Sequence, residues 1–498
     1  LITTTRAKQC SVLGMRTMLG GWVALGVVTL LFACESSEPR ARDMTDTDAA
    51  TDSGPSGPAP TGGDAGVDAN VPDSGEDDDF VVPDASVVCG TGPCAVTMTG
   101  HGDSFCVVLQ SGKMSCWGSN ASGQLGYEAD GKPFSATPHV LDNLANVTSA
   151  SVGESNACAR VASGDVFCWG APDLVNAGIL PADGSGTFSA PVSQPTRMSA
   201  VPAGTSIAVG KDFACATASD GSLSCWGTNA NQELGRGVTD AGSIVPPAKA
   251  LLVTQEVAAI VPGASRTFAI TSNNDLLSWG AGSLYGRDDF NRLTNLVDYL
   301  LGRAISEDVD GFPALVPGLA RVRGVATSSR HGCAVVGRDV QCWGSNELGQ
   351  LGRGSFNPAP TVFQLPPSFL PDISNLRFVA DAEETDAGVP TKDVPIQVAV
   401  ADEHSCAAMG SGHVYCWGKK GDKGVLGSRP TQDLNGTPTR IDGLSEPAVG
   451  VASAGSTVCA LLRSGAVECW GSNAQGQLGT GKADDLPHPA PSRVVLPN

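Results

Sequence analysis

Residues 106–126 read CVVLQSGKMSCWGSNASGQLG: a short apolar run, Ser-Gly, a second apolar run ending in Cys-Trp-Gly, and a Gly-Gln-Leu-Gly loop. Versions of this stretch return six more times. Anchored on Trp-Gly, the copies fall at Trp117, Trp169, Trp226, Trp279, Trp343, Trp417 and Trp470, at intervals of 52, 57, 53, 64, 74 and 53 residues, and only Trp22 lies outside the pattern. A period in the fifties without a helical signature predicts small sheets that must lean on one another, because one such sheet cannot bury both of its faces. Seven units closing radially predict an all-β, seven-bladed β-propeller.

Within a copy, CVVLQ and KMSCW flank Ser-Gly, which is a hairpin signal. The turn slot holds Gly112, Gly164, Gly221, Gly412 and Gly465. Asn274 replaces it in the fourth copy, as expected where backbone geometry requires positive φ and Asn is the next-best residue. The fifth copy, CAVVGRDVQCW, is one residue shorter at the turn. On the second strand a period of two places Cys116 and Met114 on one face and Trp117 on the other. Each blade therefore has a Cys face and a Trp face, and both are covered if blades stack around an axis. The Gly after each Trp is expected at a bulge or a close backbone approach.

Outward from the copies, CAVTMTGHG, NVTSASVG, TSIAVG, QEVAAIVPG, VRGVATSS, PIQVAVAD and AVGVASAG each lead into a hairpin, and a Pro-containing β run such as ATPHVL or GTPTRI follows it. That makes about four antiparallel strands per blade. Blade one has no outer strand before it, whereas PAPSRVVLP is spare at the other end of the array. The expectation is that Ser492–Leu496 joins the sheet begun at Ala95 and closes the ring non-covalently. Two insertions are long, 282–313 and 366–395. The first contains NRLTNLVDYLLGR, whose apolar Leu293, Leu296, Val297, Leu300 and Leu301 predict a short amphipathic helix.

The flanking sequence is of another kind. Met15–Cys34, MRTMLGGWVALGVVTLLFAC, has a charged start, an uncharged apolar run and small Ala33 before Cys34. It reads as an export signal behind an expected start at Met15, with Leu31-Phe32-Ala33-Cys34 resembling the bacterial lipoprotein box and Cys34 as the lipidated residue. Residues 1–34 are thus assigned to export, 35–88 to a tether and 89–498 to the propeller. Residues 35–86 carry fourteen acidic residues against Arg40 and Arg42, in a chain of 498 residues with net charge -20. So little apolar surface cannot offset chain entropy, and the segment is expected to be a solvated tether.

The pattern CxxxxSGxxxCWGxNxxGQLG resembles the repeat of the regulator of chromosome condensation family, over about residues 94–498. The resemblance implies a seven-bladed propeller. Copies two and four depart from it by lacking a recognisable GQLG, and copy four also lacks both Cys. The family's founding member is an exchange factor for a small GTPase. That activity is not carried over, because nothing here matches beyond the structural repeat. The same fold also serves as a secreted β-lactamase inhibitor.

Cysteines pair along the repeat as Cys106 with Cys116, Cys158 with Cys168, Cys215 with Cys225, Cys333 with Cys342, Cys406 with Cys416 and Cys459 with Cys469, preceded by Cys89 and Cys94. Opposite positions on antiparallel strands lie within disulfide reach, and an exported chain would be oxidised. The alternative is buried thiols, as in intracellular proteins of this type. Copy four replaces both partners together, by Phe268 and Ser278. Zinc fits poorly, since no second pair lies at finger spacing.

The loop before each first Cys is expected at one common end of the toroid. It holds Asp103, Glu154, Lys211, Asp212, Arg330, His331, Asp402, Glu403 and His404, a ring of mixed charge able to bind a partner, or a set of ordinary turn residues with the two His serving packing or capping. No phosphate loop, His-Glu-x-x-His or nucleophile elbow occurs, and no catalytic, cofactor or metal residue is assigned. Sparse basic residues and negative charge argue against nucleic acid. The leading expectation is a monomeric cell-envelope lipoprotein, held to the outer membrane by its lipid alone, that binds another protein or a surface polymer without catalysis. An extracytoplasmic lyase or hydrolase working at the axial mouth is one alternative. Another is an inhibitor of a secreted enzyme, with Tyr285, Phe290 and Tyr299 as anchors.

Overall fold

The structure is a computed structural model describing residues 83–497 apart from 129–130, 180–188, 238–243, 251–252, 283, 288–292, 298–299, 304–308, 355, 357–373, 377–392 and 429–431. Cys34, Phe290, Tyr299, the export signal, most of the tether and most of the second insertion lie outside the described residues. Seven four-stranded antiparallel sheets follow one another along the chain. Blade 1 comprises Ala95–His101, Ser104–Leu109, Met114–Ser119 and Phe134–Val140. The first strands of the later blades are Val147–Val152, Ser206–Val209, Val257–Pro262, Val322–Thr327, Pro395–Val400 and Ala448–Ala454. Each contacts the first strands of both neighbouring blades, and that of blade 7 contacts that of blade 1. The first strands thus form a closed inner ring.

The cores lie in the seams between blades. Cys106, Met114 and Cys116 of blade 1 pack with Trp169 of blade 2. Cys406, Val414 and Cys416 of blade 6 pack with Trp470 of blade 7. At the closing seam Cys459, Val467 and Cys469 of blade 7 meet Trp117 of blade 1. The alternation of Cys face and Trp face is what lets identical units stack without leaving either face wet. All seven repeat Trp are fully buried.

Buried indole N–H groups need acceptors, and the repeat supplies them across the seam. Trp117 Nε1 donates to Gln477 O at 2.8 Å, Trp169 to Gln124 O at 2.8 Å, Trp279 to Glu233 O at 2.7 Å, Trp417 to Gln350 O at 2.8 Å and Trp470 to Val425 O at 2.8 Å. The GQLG loop of one blade is therefore the socket for the Trp of the next. Trp343 donates to Leu300 O at 3.2 Å, so Leu300-Leu301-Gly302 takes the place of the Gln-Leu-Gly of the motif in copy four, displaced by the insertion before it. In copy two a helix, Pro172–Ile179, occupies the socket position, and Trp226 Nε1 is buried without a partner among the described residues.

Two expectations are corrected. The last strand, His488–Arg493, pairs with Val467–Gly471 of its own blade, while Phe134–Val140 completes blade 1, so among the described residues no strand crosses over to close the ring. Each hairpin takes its outer strand from the chain that follows it, which leaves no strand to spare. The first insertion contains no helix over its apolar residues: Leu284–Arg287 and Leu293–Val297 form an antiparallel hairpin. Thr and Asn amid β-branched Val disfavour a helix there, and buried Leu300 and Leu301 belong to the socket instead. The helix at 172–179 was not expected; Pro172 opens it and Asp173 lies in its first turn.

The Gly after each Trp behaves as expected. Gly118 has φ of 99°, the pairing of the third and fourth strands shifts between Cys116 and Gly118, and a Cβ there would lie 2.2 Å from Asp103 O. Asn274, at φ of 62°, repeats the positive φ of the turn glycines. The paired Cys stand directly opposite in register, and all seven pairs, Cys89–Cys94 included, are disulfides. Phe268 and Ser278 face each other in the same register in blade 4.

Ahead of blade 1, residues 84–94 form a strap. Val88 N donates to Arg463 O at 2.7 Å, Arg463 Nη2 to Asp84 O at 3.0 Å, and Ala85 and Val87 pack on the closing seam. Ala85, Ser86 and Val87 line a cavity of about 310 Å³ together with the opening residues of first strands, among them Val96, Gln397 and Val449. The strap thus sits at the end of the axial channel where first strands begin.

Candidate functional site

At the other end, where first strands finish, the loops to the second strands surround a cavity of about 570 Å³ with contributions from blades 1, 2, 4, 5, 6 and 7. Aligned on the paired Cys, these loops have two tip positions and a third, buried position that opens or directly precedes the second strand. The tips hold Gly102-Asp103, Glu154-Ser155, Lys211-Asp212, Ala264-Ser265, Ser329-Arg330, Asp402-Glu403 and Gly455-Ser456. Seven of the nine residues singled out by sequence are therefore loop tips at this end; Asp103, Glu154, Arg330, Asp402 and Glu403 line the cavity, and Lys211 and Asp212, on blade 3, do not. The other two, His331 and His404, are not tips.

His331 and His404 occupy the third position, beneath the tips, at 0% and 1% exposure. That layer links neighbouring blades. Arg266 Nη1 of blade 4 donates to Ser328 O of blade 5 at 2.9 Å, His331 Nε2 of blade 5 shares a hydrogen bond with Ser405 Oγ of blade 6 at 2.6 Å, and His404 Nε2 of blade 6 does so with Ser453 Oγ of blade 7 at 2.8 Å. Packing, not surface chemistry, places the two His.

Burial drives the pKa of His331 down to about 3 and that of His404 to about 4, against the opposing field of Asp402 on both; His404, Arg330 and Arg266 lower His331 further. A depressed folded-state pKa means that the unfolded chain binds more protons between about pH 6.5 and the folded values, so stability is lost as pH falls through that window. Blade 2 uses Asn156 at this position, donating to Lys211 O at 3.4 Å. The double variant His331→Asn, His404→Asn is expected to flatten the melting-temperature profile between pH 7 and 4, whereas the unaltered chain loses several degrees or more. Parallel profiles for the two proteins would contradict this assignment.

Ion pairs consume every basic tip residue. Lys211 pairs with Glu154 at 3.2 Å, Arg330 with Glu347 at 3.6 Å, and Lys419 comes up to Glu403 at 3.0 Å. Three carboxylates are held only by neutral donors or by none. Asp402 Oδ1 accepts from Ser329 N at 2.9 Å and Ser329 Oγ at 2.7 Å, and Asp103 Oδ1 accepts from Gln477 Nε2 at 3.1 Å. Asp212 has no hydrogen-bonded partner for its carboxylate among the described residues. Burial raises the pKa of Asp103 and of Asp212. Elsewhere Glu233 takes the place of the socket Gln, and burial pushes its carboxyl up to about 7.

One mouth residue was missed in the sequence. His101 lines the cavity in a slot where the other blades have Gly153, Gly210, Gly263, Ser328, Ala401 and Ala454. Among the described residues its Nδ1 is buried without a hydrogen-bond partner, and burial lowers its pKa against the opposing fields of Glu154 and Asp402. The signal was available as a size outlier among seven aligned repeats.

A second cluster brings Ser411, His413 and Asp393 together at the blade 6 turn. Ser411 Oγ meets both Asp393 Oδ2 and His413 Nδ1, and Asp393 Oδ1 accepts from Ser411 N at 3.2 Å and Val394 N at 3.0 Å. The carboxylate bonds the hydroxyl rather than orienting the imidazole, which is the wiring of a turn cap and not of a proton relay. Among the described residues no three His, Cys, Asp or Glu are grouped to hold a metal ion.

Residues 411–461 match the model of the Regulator of chromosome condensation (RCC1) repeat. The chain is 28% identical over 404 residues to the Ultraviolet-B receptor UVR8 of Arabidopsis thaliana, covering 80% of this chain and 81% of that one. It is 28% identical over 394 residues to the human E3 ubiquitin-protein ligase HERC2, covering 76% of this chain but only 7% of the ligase. Among solved structures, human WBSCR16 superposes with TM-score 0.58 at 20% identity, covering 77% of this chain and 95% of that one. Prp20p of Saccharomyces cerevisiae gives TM-score 0.58 at 18% identity, covering 83% and 88%. These structures share the fold.

Proposed function

We propose that this seven-bladed propeller, whose residues 411–461 match the RCC1 repeat model, is a non-catalytic binding scaffold whose axial mouth receives a partner protein. The observation that carries this reading is the mouth itself: a single cavity to which six blades contribute, within the size range of ligand sites, and rimmed by charged tips on rigid hairpins. Tips on separate blades can vary independently while the seams hold their spacing, which suits recognition. The relatives differ in what their names describe, from a ligase to a light receptor, as expected when one scaffold carries unrelated functions.

The scaffold works outside the cytosol, anchored through a lipid on Cys34 and spaced from the membrane by the acidic tether. Six hairpin disulfides support this placement, since such bridges persist in oxidising compartments. Cross-linking the full chain in the cells that make it, followed by partner identification, tests the reading. The double reversal Asp402→Lys, Glu403→Lys is expected to abolish capture while leaving the melting temperature within a few degrees. Unchanged capture by the folded variant would remove the mouth from consideration.

A further inference from the structure

The socket of blade 3 holds a buried acid. Glu233 is 2% exposed, and its backbone O accepts from Trp279 Nε1 at 2.7 Å and from Thr267 Oγ1 at 2.7 Å, both on blade 4. Its side chain stands where Gln124, Gln350 and Gln477 stand in sibling sockets. Each of those amides has two roles. Oε1 accepts from the N–H two residues earlier, at 2.8 to 2.9 Å, and Nε2 donates outward, to Ser119 Oγ at 3.4 Å, Asp402 O at 3.5 Å and Asp103 Oδ1 at 3.1 Å. Glu233 keeps the accepting role, with Asn231 N on Oε2 at 2.7 Å. In the donating role stands Oε1, which meets Thr228 Oγ1 at 3.5 Å, the counterpart of Ser119. Thr228 Oγ1 also lies 3.3 Å from Asp212 O, at the blade 3 tip, and has one proton to give. A carboxylate leaves two acceptors facing that one hydroxyl, whereas a carboxylic acid supplies an O–H as the sibling amides supply an N–H.

We propose that Glu233 is a proton-operated latch: its protonated carboxyl donates to Thr228 Oγ1, Thr228 donates to Asp212 O, and this chain of bonds ties the socket that holds blade 4 to the Lys211-Asp212 tip. Release of the carboxyl proton to water breaks the chain, because Oε1 then competes with Asp212 O for the Thr228 hydroxyl. The charged groups on the surrounding elements are engaged elsewhere. Lys211 pairs with Glu154, and Asp212 turns its backbone O to Thr228. Arg266, on the second strand of blade 4, donates to Ala281 O, Ser328 O and Ser329 O, and Arg303 pairs with Asp310 on the outer side of that blade. Arg236, on the loop of Glu233 itself, donates to Cys225 O, Pro246 O and Ala248 O. Burial therefore governs, against hydrogen bonds from the acid's own N–H, Asn231 and Thr228, and pushes the carboxyl up from 4.5 to about 7. A raised folded-state value means that the fold binds a proton the unfolded chain has released. This contribution to stability is complete below about pH 4.5 and is lost as pH rises through about 7. It runs opposite to the window of His331 and His404.

The test compares the full chain with Glu233→Gln, a permanent donor that copies the sibling sockets, and with Thr228→Val, which removes the relay hydroxyl and keeps the shape. Thr228→Ser, which keeps the hydroxyl, should behave as the parent. Each variant is first checked for an unchanged near-UV spectrum at about pH 5.5. Infrared titration of the parent is expected to show a protonated-carboxyl band that fades with a midpoint near 7 and that Glu233→Gln lacks. The melting temperature of Glu233→Gln should match the parent at about pH 5 and exceed it by several degrees at about pH 8. The two His titrate alike in both proteins and cancel in that difference. Amide exchange of residues 211–213 and 228–234 should be equal in the two at about pH 5.5, and several-fold faster in the parent at about pH 8. In Thr228→Val the band should persist while the pH dependence of exchange is lost. A melting difference that does not vary with pH, or no band removed by Glu233→Gln, would overturn the latch. Exchange that stays pH-dependent in folded Thr228→Val would overturn the relay to the tip.

Discussion

Reduction of the native protein with a phosphine is expected to lower its melting temperature by tens of degrees and to abolish cooperative unfolding at the upper end of the physiological range. Each hairpin bridge joins the two middle strands of a blade, at Cα separations of 4.0 to 4.1 Å, and spans only 9 or 10 residues of sequence. Closing a loop of that size stabilises by about 2 to 3 kcal/mol in the chain-entropy model, less where the hairpin persists in the unfolded chain. Six such contributions, even at half value, rival the whole stability of an ordinary domain, about 5 to 15 kcal/mol. Blade 4 folds without a bridge, Phe268 opposite Ser278, so the cross-links stabilise each hairpin rather than define it. Thiol counting in denaturant should find the fourteen paired Cys blocked. About twelve free thiols, or a melting temperature unmoved by reduction, would contradict the assignment.

The second large effect is expected at the closing seam. Trp117→Ala removes a fully buried ring that stacks on Phe105, with centroids 5.8 Å apart, and leaves Gln477 O without its donor. Large-to-Ala changes of this kind cost about 3 to 5 kcal/mol, and an unsatisfied buried acceptor adds about 1 to 3. No strand exchange backs up this seam, so the loss should propagate to the strap, and limited proteolysis should cut earlier near residues 83–95. Phenylalanine separates ring packing from hydrogen bonding. Trp117→Phe loses the bond, whereas Trp226→Phe has none to lose, because Trp226 Nε1 faces the helix without an acceptor among the described residues. Urea titrations should therefore show the first Phe variant destabilised by about 1 kcal/mol or more beyond the second. Equal losses would mean that the socket carbonyls contribute nothing.

Much of the fold was written in the repeat because the seams impose it. Trp must reach a socket, Cys must face Cys, and Gly must follow Trp where Asp103 O leaves no room for a Cβ. Asn274 in the glycine slot was readable for the same reason. Features that depend on relations between copies were less legible. Strand ownership at the ring's ends is ambiguous when first and outer strands look alike in composition, so the sequence of the terminal strand does not tell blade 1 from blade 7. In NRLTNLVDYLLGR one apolar periodicity conceals two jobs, a hairpin strand and a displaced socket. APDLVNAGIL carries a Pro and an Asp suited to a helix start, but the expectation of uniform blades masked them.

The mouth was partly legible. Alignment on Cys located Asp103, Glu154, Lys211, Asp212, Arg330, Asp402 and Glu403 at one end, yet could not separate tip from floor, since His331 and His404 lie one residue beyond the tips and point between blades. His101 was overlooked because its neighbours in the sequence are unremarkable. Its oddity shows only when seven copies of one slot are compared.

The strap fixes the geometry of any attachment. Tension on the amino-terminal segment enters at residues 84–88 and is taken by the backbone of blade 7, with the short Cys89–Cys94 loop as an inextensible stop before blade 1. A load on that segment therefore acts at the end of the propeller where first strands begin. The charged loop tips lie at the opposite end, so a partner that pulls on them against a held segment loads the very seam where the circle was last joined.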